Sequence, residues 1–112
     1  MNQRLYKILS GTEWQQVHSD QALAGFGIDL TDGFIHLSSA GQVKETVQRY
    51  FSGCDDLMLV SIDGSLLGES LRWEESRGGA SFPHVYGVIP MEAILKAEPL
   101  PLGSDGEHQF PF

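Results

Sequence analysis

The chain has 112 residues, of which 41% are hydrophobic and 20% are charged, and this composition predicts one ordinary folded domain. Its net charge of −8 argues against nucleic acids as partners, because binding them relies on Lys and Arg replacing counterions. No apolar run approaches the ~20 residues that cross a bilayer, so we expect no membrane segment.

The N-terminus and the cysteine content indicate a cytoplasmic protein. Residues 1–14 lack the longer apolar core and the small-residue cleavage site of a signal peptide. The single cysteine, Cys54, excludes an internal disulfide and fits a reducing compartment. We therefore expect a cytoplasmic location, while the oligomeric state stays open.

The first part of the chain predicts strands and helices in alternation. Residues 4–9, "RLYKIL", have the pattern of a strand. A Ser or Thr is followed three residues later by Glu or Gln at 10–13 and again at 12–15, which is a capping box and predicts a short helix over 12–18. Residues 19–32 carry three acids and two glycines, so they predict a loop with room for one helical turn.

A second strand, the clearest helix and a buried strand follow. Residues 33–37, "GFIHL", are strand-like. Ser39 followed by Gln42 predicts the start of an amphipathic helix within 38–51. The apolar stripe of this helix consists of Val43, Val47, Tyr50 and Phe51. The continuous apolar run at 57–62 is typical of a central strand covered on both faces.

The rest of the chain is mainly strand-like. The predicted elements are strands at 71–75, 82–87 and 94–98 and a helical turn at 90–93. This order predicts an α+β protein, a small sheet assembly with its helices mainly in the N-terminal half. We expect a single domain over residues 1–102 and a C-terminal tail over 103–112.

A histidine lies inside an apolar run in "DGFIHLS", residues 32–38. Strand alternation places His36 on one face with Phe34 and Ser38. A buried histidine needs partners for both of its ring nitrogens. On the residues alone, a structural histidine and a site-lining histidine both fit this position.

A second histidine stands in "FPHVYG", residues 82–87. His84 shares its strand face with Phe82 and Tyr86, a setting that also suits the flat ring of a ligand. If the two strands are neighbours, His36 and His84 could face one cavity. A metal site needs three or four ligands, and no close His or Cys pair exists, so we expect no metal.

Charged residues concentrate in "LRWEESRGG", residues 71–79. One interpretation is a solvated edge strand and loop. The other is a binding segment, in which Arg72 or Arg77 meets an anionic group. In that case Trp73 offers a stacking face, and Glu74 offers a carboxylate to a ribose hydroxyl.

The whole pattern resembles a bacterial family, Domain of Unknown Function family 952. The resemblance covers about residues 4–102, and it rests on Trp14 and on the phrases "LYKI", "DGFIHLSSAGQV", "RYFSG", "DLMLVSID", "LRWEESRGG" and "FPHVYGVIP". The family implies no established function.

A more distant resemblance is to the ADP-ribosyltransferase superfamily, closest in motif style to the RNA 2′-phosphotransferases. The phrases "LYKI", "GFIHLS" and "HVYGVIP" stand in the corresponding order. The resemblance implies a two-sheet fold with NAD in a cleft between the sheets, lined by Lys7, by His36 and by His84 or Tyr86. The superfamily normally has a histidine at the first motif, and Lys7 cannot imitate a neutral imidazole.

The resemblance therefore implies a small nucleotide-like ligand, NAD or a relative, and an ADP-ribosyltransferase-like glycosyl transfer. His36 and Glu74 are the candidate catalytic residues, and Glu74 would offset the positive charge that develops as nicotinamide leaves. The candidate cofactor-binding residues are Lys7, His36, Ser38, Arg72, Arg77, His84 and Tyr86. Two alternatives are a non-catalytic ligand-binding or protein-interaction module and a hydrolase that uses His36 and His84 as acid and base.

Overall fold

The computed structural model describes residues 3–112, apart from the side chain of Arg77. Its helices are α1 (Gly11–Asp20), α2 (Ile28–Asp32) and α3 (Ala40–Tyr50). Its strands are β1 (Arg4–Ser10), β2 (Ala22–Leu23), β3 (Ile35–His36), β4 (Ser38–Ser39), β5 (Leu57–Asp63), β6 (Leu71–Glu75), β7 (Ser81–Val85), β8 (Ile89–Pro90) and β9 (Ile94–Pro99). These elements confirm the α+β class.

Three antiparallel sheets join these strands. One has four strands in the order β4-β1-β5-β9, one has three in the order β3-β7-β6, and β2 pairs with β8. The expectation of two sheets therefore omitted the β2–β8 ladder, in which Leu23 pairs with Ile89. The ladder was missed because residues 19–32 look like a polar, glycine-containing loop, although they also hold α2.

The four-stranded sheet is covered on both faces, because its strands alternate between two apolar clusters. Along β5, Val60 and Ile62 pack into the first cluster, while Leu57 and Leu59 pack into the second. The first cluster continues into α1 and the three-stranded sheet through Val17, Ile35 and Val85. The second continues into α3 through Val43 and Val47. This two-sided burial confirms the central strand that the run at 57–62 predicts.

Local capping determines where α1 and α3 begin. The Glu13 backbone N–H donates to Oγ of Ser10 over 3.1 Å, and the Ser10 N–H donates to Oε1 of Glu13 over 2.9 Å. At α3, the Ser39 N–H donates to Oε1 of Gln42 over 3.1 Å. Each such cap stabilises its helix by about 1 kcal/mol.

Among the described residues, no helix is long and apolar enough to cross a membrane.

The segment 103–112 folds back against the domain. Phe110 packs against the second apolar cluster, and the ring of Phe112 lies 5.2 Å from the ring of Tyr6. Nε2 of His108 lies 2.7 Å from the carbonyl oxygen of Cys54. Together, these contacts connect the C-terminal segment to α3 and to the loop that follows it.

Core burial predicts a clear contrast between two leucines. Leu59 is fully buried in the second cluster, whereas Leu95 on the edge strand β9 is 41% exposed. We expect Leu59→Ala to lower the free energy of unfolding by about 2 to 5 kcal/mol, because it removes buried methyl groups and leaves a cavity. Urea unfolding measures the change, with Leu95→Ala as the matched control. Equal losses in the two variants would contradict this description of the core.

Candidate functional site

Two histidines lie side by side on the three-stranded sheet. His36 of β3 is the direct register partner of His84 of β7, and Arg72 of β6 is the next residue in the same cross-strand row. Directly opposed residues of antiparallel strands share one face of the sheet. The centroids of the two imidazole rings are 5.4 Å apart. The two histidine phrases thus lie on neighbouring strands, which is the condition under which the sequence allows both histidines to face one cavity.

A buried carboxylate, Asp29 of α2, fixes the position of His36. Oδ1 of Asp29 accepts from the backbone N–H of His36 over 3.0 Å and lies 2.7 Å from His36 Nδ1. Oδ2 accepts from the backbone N–H of Phe26 over 3.1 Å and lies 2.8 Å from Nζ of Lys7. One side chain thereby joins α2, β1 and β3.

Asp29 remains ionised because its partners outweigh its burial. Burial raises the pKa of a carboxyl, since the charged form loses water. The Lys7 ammonium and the hydrogen bonds from Lys7 and His36 act in the opposite direction, so the pKa of Asp29 lies below its ordinary value. As a carboxylate, Asp29 can only accept hydrogen bonds.

Lys7 is committed to this network. Its Nζ donates to the carbonyl oxygen of His36 over 3.0 Å in addition to its ion pair with Asp29. The cation is therefore neutralised within the protein, and it holds β3 in place.

The second ring nitrogen of His36 also faces a carboxylate. Nε2 of His36 lies 3.0 Å from Oδ2 of Asp32, the last residue of α2, whose side chain is 37% exposed. His36 is therefore held between a buried carboxylate seven residues before it in the chain, Asp29, and a solvent-accessible carboxylate four residues before it, Asp32.

His84 has its own carboxylate partner. Its Nδ1 lies 2.8 Å from Oε1 of Glu74, and the Tyr86 hydroxyl donates to the same oxygen over 2.7 Å. The hydrogen bond with His84, followed by that from Tyr86, lowers the pKa of Glu74. The hydrogen bond to Glu74 in turn raises the pKa of Tyr86.

Aromatic rings pack around this pair of histidines. The ring of Phe34 stacks on His84, with centroids 4.2 Å apart, and lies 4.6 Å from His36 and 5.1 Å from Tyr86. The guanidinium carbon of Arg72 lies 5.4 Å from the centroid of the Tyr86 ring. The stacked rings cover one side of His84 and restrict its orientation.

The two histidines open into a cavity of about 410 Å³, which we call the histidine cavity. Its lining residues are Tyr6, Lys7, Ile8, Ile28, Asp29, Asp32, His36, Leu37, Ser38, Thr46, Tyr50, Phe51, Ser76, Phe82 and His84. Oγ of Ser38 lies 3.2 Å from the hydroxyl oxygen of Thr46 in this wall. Among the described residues, no group of three or more His, Cys, Asp or Glu side chains is arranged to hold a metal ion.

Most of the residues singled out from the sequence meet here, although in different roles. Lys7, His36, Ser38 and His84 line the histidine cavity. Tyr86, Glu74 and Arg72 lie beside it and contact one another through Glu74 and the Tyr86 ring. The side chain of Arg77 lies outside the described part of the structure.

Sequence reasoning missed Asp29 and Asp32. Asp32 opens the phrase "DGFIHLS" and stands only four residues before His36, so its closeness in sequence is the available signal. Asp29 gives a weaker signal, because it lies in a five-residue helix within the stretch that was predicted as a loop. A lysine in a strand is the other available clue, since a buried ammonium requires an anion.

The Asp29 network predicts how stability depends on pH. We expect Asp29→Asn to lower the free energy of unfolding by about 3 kcal/mol near neutral pH, because it leaves the Lys7 ammonium without its anion. The pKa of Asp29 is lower in the folded chain than its ordinary value of 3.8. Its contribution is therefore complete above that value and is lost as the pH falls through the lowered pKa. Urea unfolding of the wild type and the variant at several pH values measures the difference, which should narrow below pH 3.8.

The control for this experiment is Asp55→Asn, which alters an exposed carboxyl. It should change stability little at any pH. A difference between wild type and Asp29→Asn that stays constant or widens in acid would contradict the network.

Comparisons with known proteins agree with this fold. The X-ray structure of protein CC0527 from Caulobacter crescentus is 42% identical, with a TM-score of 0.89 over 95% of this chain and 93% of that one. A double mutant of the same protein is 40% identical with the same TM-score and coverage. Its solution NMR structure is 42% identical, with a TM-score of 0.84 over 95% of this chain and 91% of that one.

A family model matches most of the chain, although no curated protein matches this chain. The resemblance to the ADP-ribosyltransferases gains no support from these matches and stays a prediction. The model of a family described as "Protein of unknown function (DUF952)" matches residues 8–97, so the chain belongs to that family, as its motifs predict.

Proposed function

We propose that this protein binds NAD or a related nucleotide in the histidine cavity, with the nicotinamide-ribosyl end at His36 and His84. The observation that carries the proposal is the pairing of the two histidines. Each has Nδ1 on a carboxylate, and both open into one cavity. Rings held in this way are already oriented for a ligand, so little ordering entropy is lost on binding.

The size and lining of the cavity support a ligand of this kind. A volume of about 410 Å³ lies within the usual range of ligand sites. Tyr50, Phe51 and Phe82 provide aromatic walls for a flat base, whereas His84 and Asp32 provide hydrogen-bonding groups for sugar hydroxyls. The cavity can thus hold one nucleoside portion of a dinucleotide, and the remainder would extend past its mouth.

The roles proposed for individual residues follow their contacts. Lys7 positions His36 rather than binding phosphate, because Asp29 already neutralises it. Arg72 is exposed beside Tyr86, and we assign its guanidinium to a phosphate of the ligand outside the cavity.

Glu74 supports glycosyl transfer as the activity. When the bond between ribose and nicotinamide breaks, its electron pair leaves with nicotinamide and positive charge develops on the ribose. Glu74 has a lowered pKa and contacts Nδ1 of His84, so an ionised carboxylate lies behind the imidazole ring that faces the proposed ribose position. A fixed negative charge there would stabilise the transition state more than the ground state.

A second candidate is acid–base hydrolysis at the same residues, and one observation favours it. The imidazole rings share a face of the sheet and lie 5.4 Å apart. A substrate atom between them could receive a proton from one ring while the other ring takes a proton from the nucleophile.

Nucleotide binding is tested by thermal melting with and without millimolar NAD, ADP-ribose and nicotinamide. A ligand at about a hundred times its dissociation constant stabilises the folded state by about 2.7 kcal/mol, which raises the melting temperature by several degrees. We expect NAD to give such a shift with wild type and to give none with His36→Ala. His18→Ala, which alters an exposed histidine of α1, should keep the shift.

Nicotinamide release separates an enzyme from a non-catalytic binding module. We expect wild type to release nicotinamide from NAD and Glu74→Gln to release about 10²-fold less while still binding. A melting shift without release would favour the binding module. No shift with any of the three ligands would contradict nucleotide binding, provided that the wild type unfolds cooperatively.

A further inference from the structure

We infer that His36 and His84 have fixed and opposite proton roles, with His36 the proton donor at Nε2 and His84 the proton acceptor at Nε2. The assignment rests on the second candidate function, acid–base hydrolysis in the histidine cavity. It extends that candidate by naming which ring gives the proton and which three carboxylates determine this.

The surroundings of His36 require a proton on each of its ring nitrogens. Nδ1 lies 2.7 Å from Oδ1 of Asp29, and Nε2 lies 3.0 Å from Oδ2 of Asp32. Carboxylates only accept hydrogen bonds, so two such contacts need two N–H groups, and the ring is then an imidazolium. Lys7 does not oppose this state strongly, because its ammonium is bound to Asp29.

The charges of this cluster then balance. The two cations are Lys7 and His36, and the two anions are Asp29 and Asp32. With a neutral His36 the four groups would carry one net negative charge in a partly buried setting, which is less favourable.

The surroundings of His84 leave one nitrogen without a proton. Nδ1 lies 2.8 Å from Oε1 of Glu74, which is ionised, so Nδ1 carries the hydrogen. Among the described residues, none hydrogen-bonds to Nε2. A second proton on His84 would add a cation next to Arg72, its cross-strand partner, and to the His36 ring. Nε2 therefore keeps its lone pair and can accept a proton from a molecule in the cavity.

This division of roles suits the hydrolysis of an ester with an oxygen leaving group. Water attacks the central phosphorus or carbon atom and loses a proton to Nε2 of His84. The bond to the leaving oxygen breaks, and that oxygen takes its electron pair. It replaces Oδ2 of Asp32 as the acceptor of the Nε2–H of His36 and takes the proton from this nitrogen. His84 ends as the cation and His36 as the neutral ring, and proton exchange with solvent restores the starting state.

The same roles would not be needed to release nicotinamide from NAD. The leaving ring nitrogen departs with the bonding electron pair as a neutral aromatic nitrogen, so it needs no proton. The proton states of the two rings therefore test ester hydrolysis and do not test nucleotide binding.

The test is ¹⁵N NMR of the imidazole rings in the full chain at about neutral pH without any ligand. The signals of His18 and His108 are identified with His18→Gln and His108→Gln. We expect both nitrogens of His36 to carry hydrogen, and His84 to be the neutral form with hydrogen on Nδ1 only. Equal protonation of the two rings, or hydrogen on Nε2 of a neutral His84, would overturn the assignment.

A variant then tests the origin of the difference. Asp32→Ala removes a partly exposed side chain and should leave the fold intact while His36 loses one of its two ring protons. The matched control is Asp55→Ala, which should leave the His36 signals unchanged. An unchanged His36 in Asp32→Ala would show that Asp32 does not hold the proton in place.

Turnover is measured with bis(para-nitrophenyl) phosphate and para-nitrophenyl acetate as probes. We expect wild type to hydrolyse at least one probe, and His84→Gln to lower the rate by about 10²-fold or more. His36→Gln should lower the rate much less with these probes, because para-nitrophenolate leaves without a proton, and much more with the matching phenyl esters, whose leaving oxygen needs one. No hydrolysis of either probe by wild type would overturn the activity even if the proton states are as inferred. These outcomes do not depend on NAD, so a failure of nucleotide binding can be distinguished from a failure of this inference.

Discussion

The buried carboxylate of Asp29 is the contact on which the rest of the site depends. It is only 3% exposed, and it receives hydrogen bonds from two backbone N–H groups as well as an ion pair from Lys7. An unpaired buried charge is very costly, so these partners must be in place for the chain to fold. These partners come from β1, from the loop just before α2 and from β3. The geometry of His36 is therefore fixed when the chain folds.

The need to neutralise Asp29 also determines the role of Lys7. The resemblance to the transferases implied that Lys7 lines the ligand cleft, at a position where that superfamily normally has a histidine. In the structure, the ammonium is used to neutralise Asp29 and to hold the carbonyl of His36. The cavity is therefore lined by imidazoles and carboxylates as well as hydroxyl groups, while the ammonium of Lys7 in the same lining is already paired with Asp29.

Some features of the site could be predicted from sequence because they depend on local periodicity. Alternation of two predicted strands placed His36 and His84 among aromatic residues. Their direct pairing depends in addition on the register between the two strands, which the structure provides. The capping box at Ser10 and the central strand at 57–62 could also be predicted, because each depends on residues that are close together in the chain.

Other features depend on contacts that the chain makes at a distance. Lys7 and Asp29 lie 22 positions apart in the sequence, and neither has a local pattern that indicates a partner. Glu74 reaches His84 and Tyr86 only because β6 and β7 are adjacent in the sheet. Phe110 and Phe112 look like the end of a polar tail, but tertiary packing places them against the second cluster and Tyr6.

The central claim is that the histidine cavity is a ligand site, with its two histidines already oriented by their carboxylates. It is tested most directly by following the backbone amide NMR signals of the full chain during a titration with NAD. The account predicts saturable changes concentrated in α2, β3 and β7, where Asp32, His36 and His84 lie. Changes confined to another surface, such as the groove between Lys44 and Phe110, would contradict it, and so would no change at millimolar NAD.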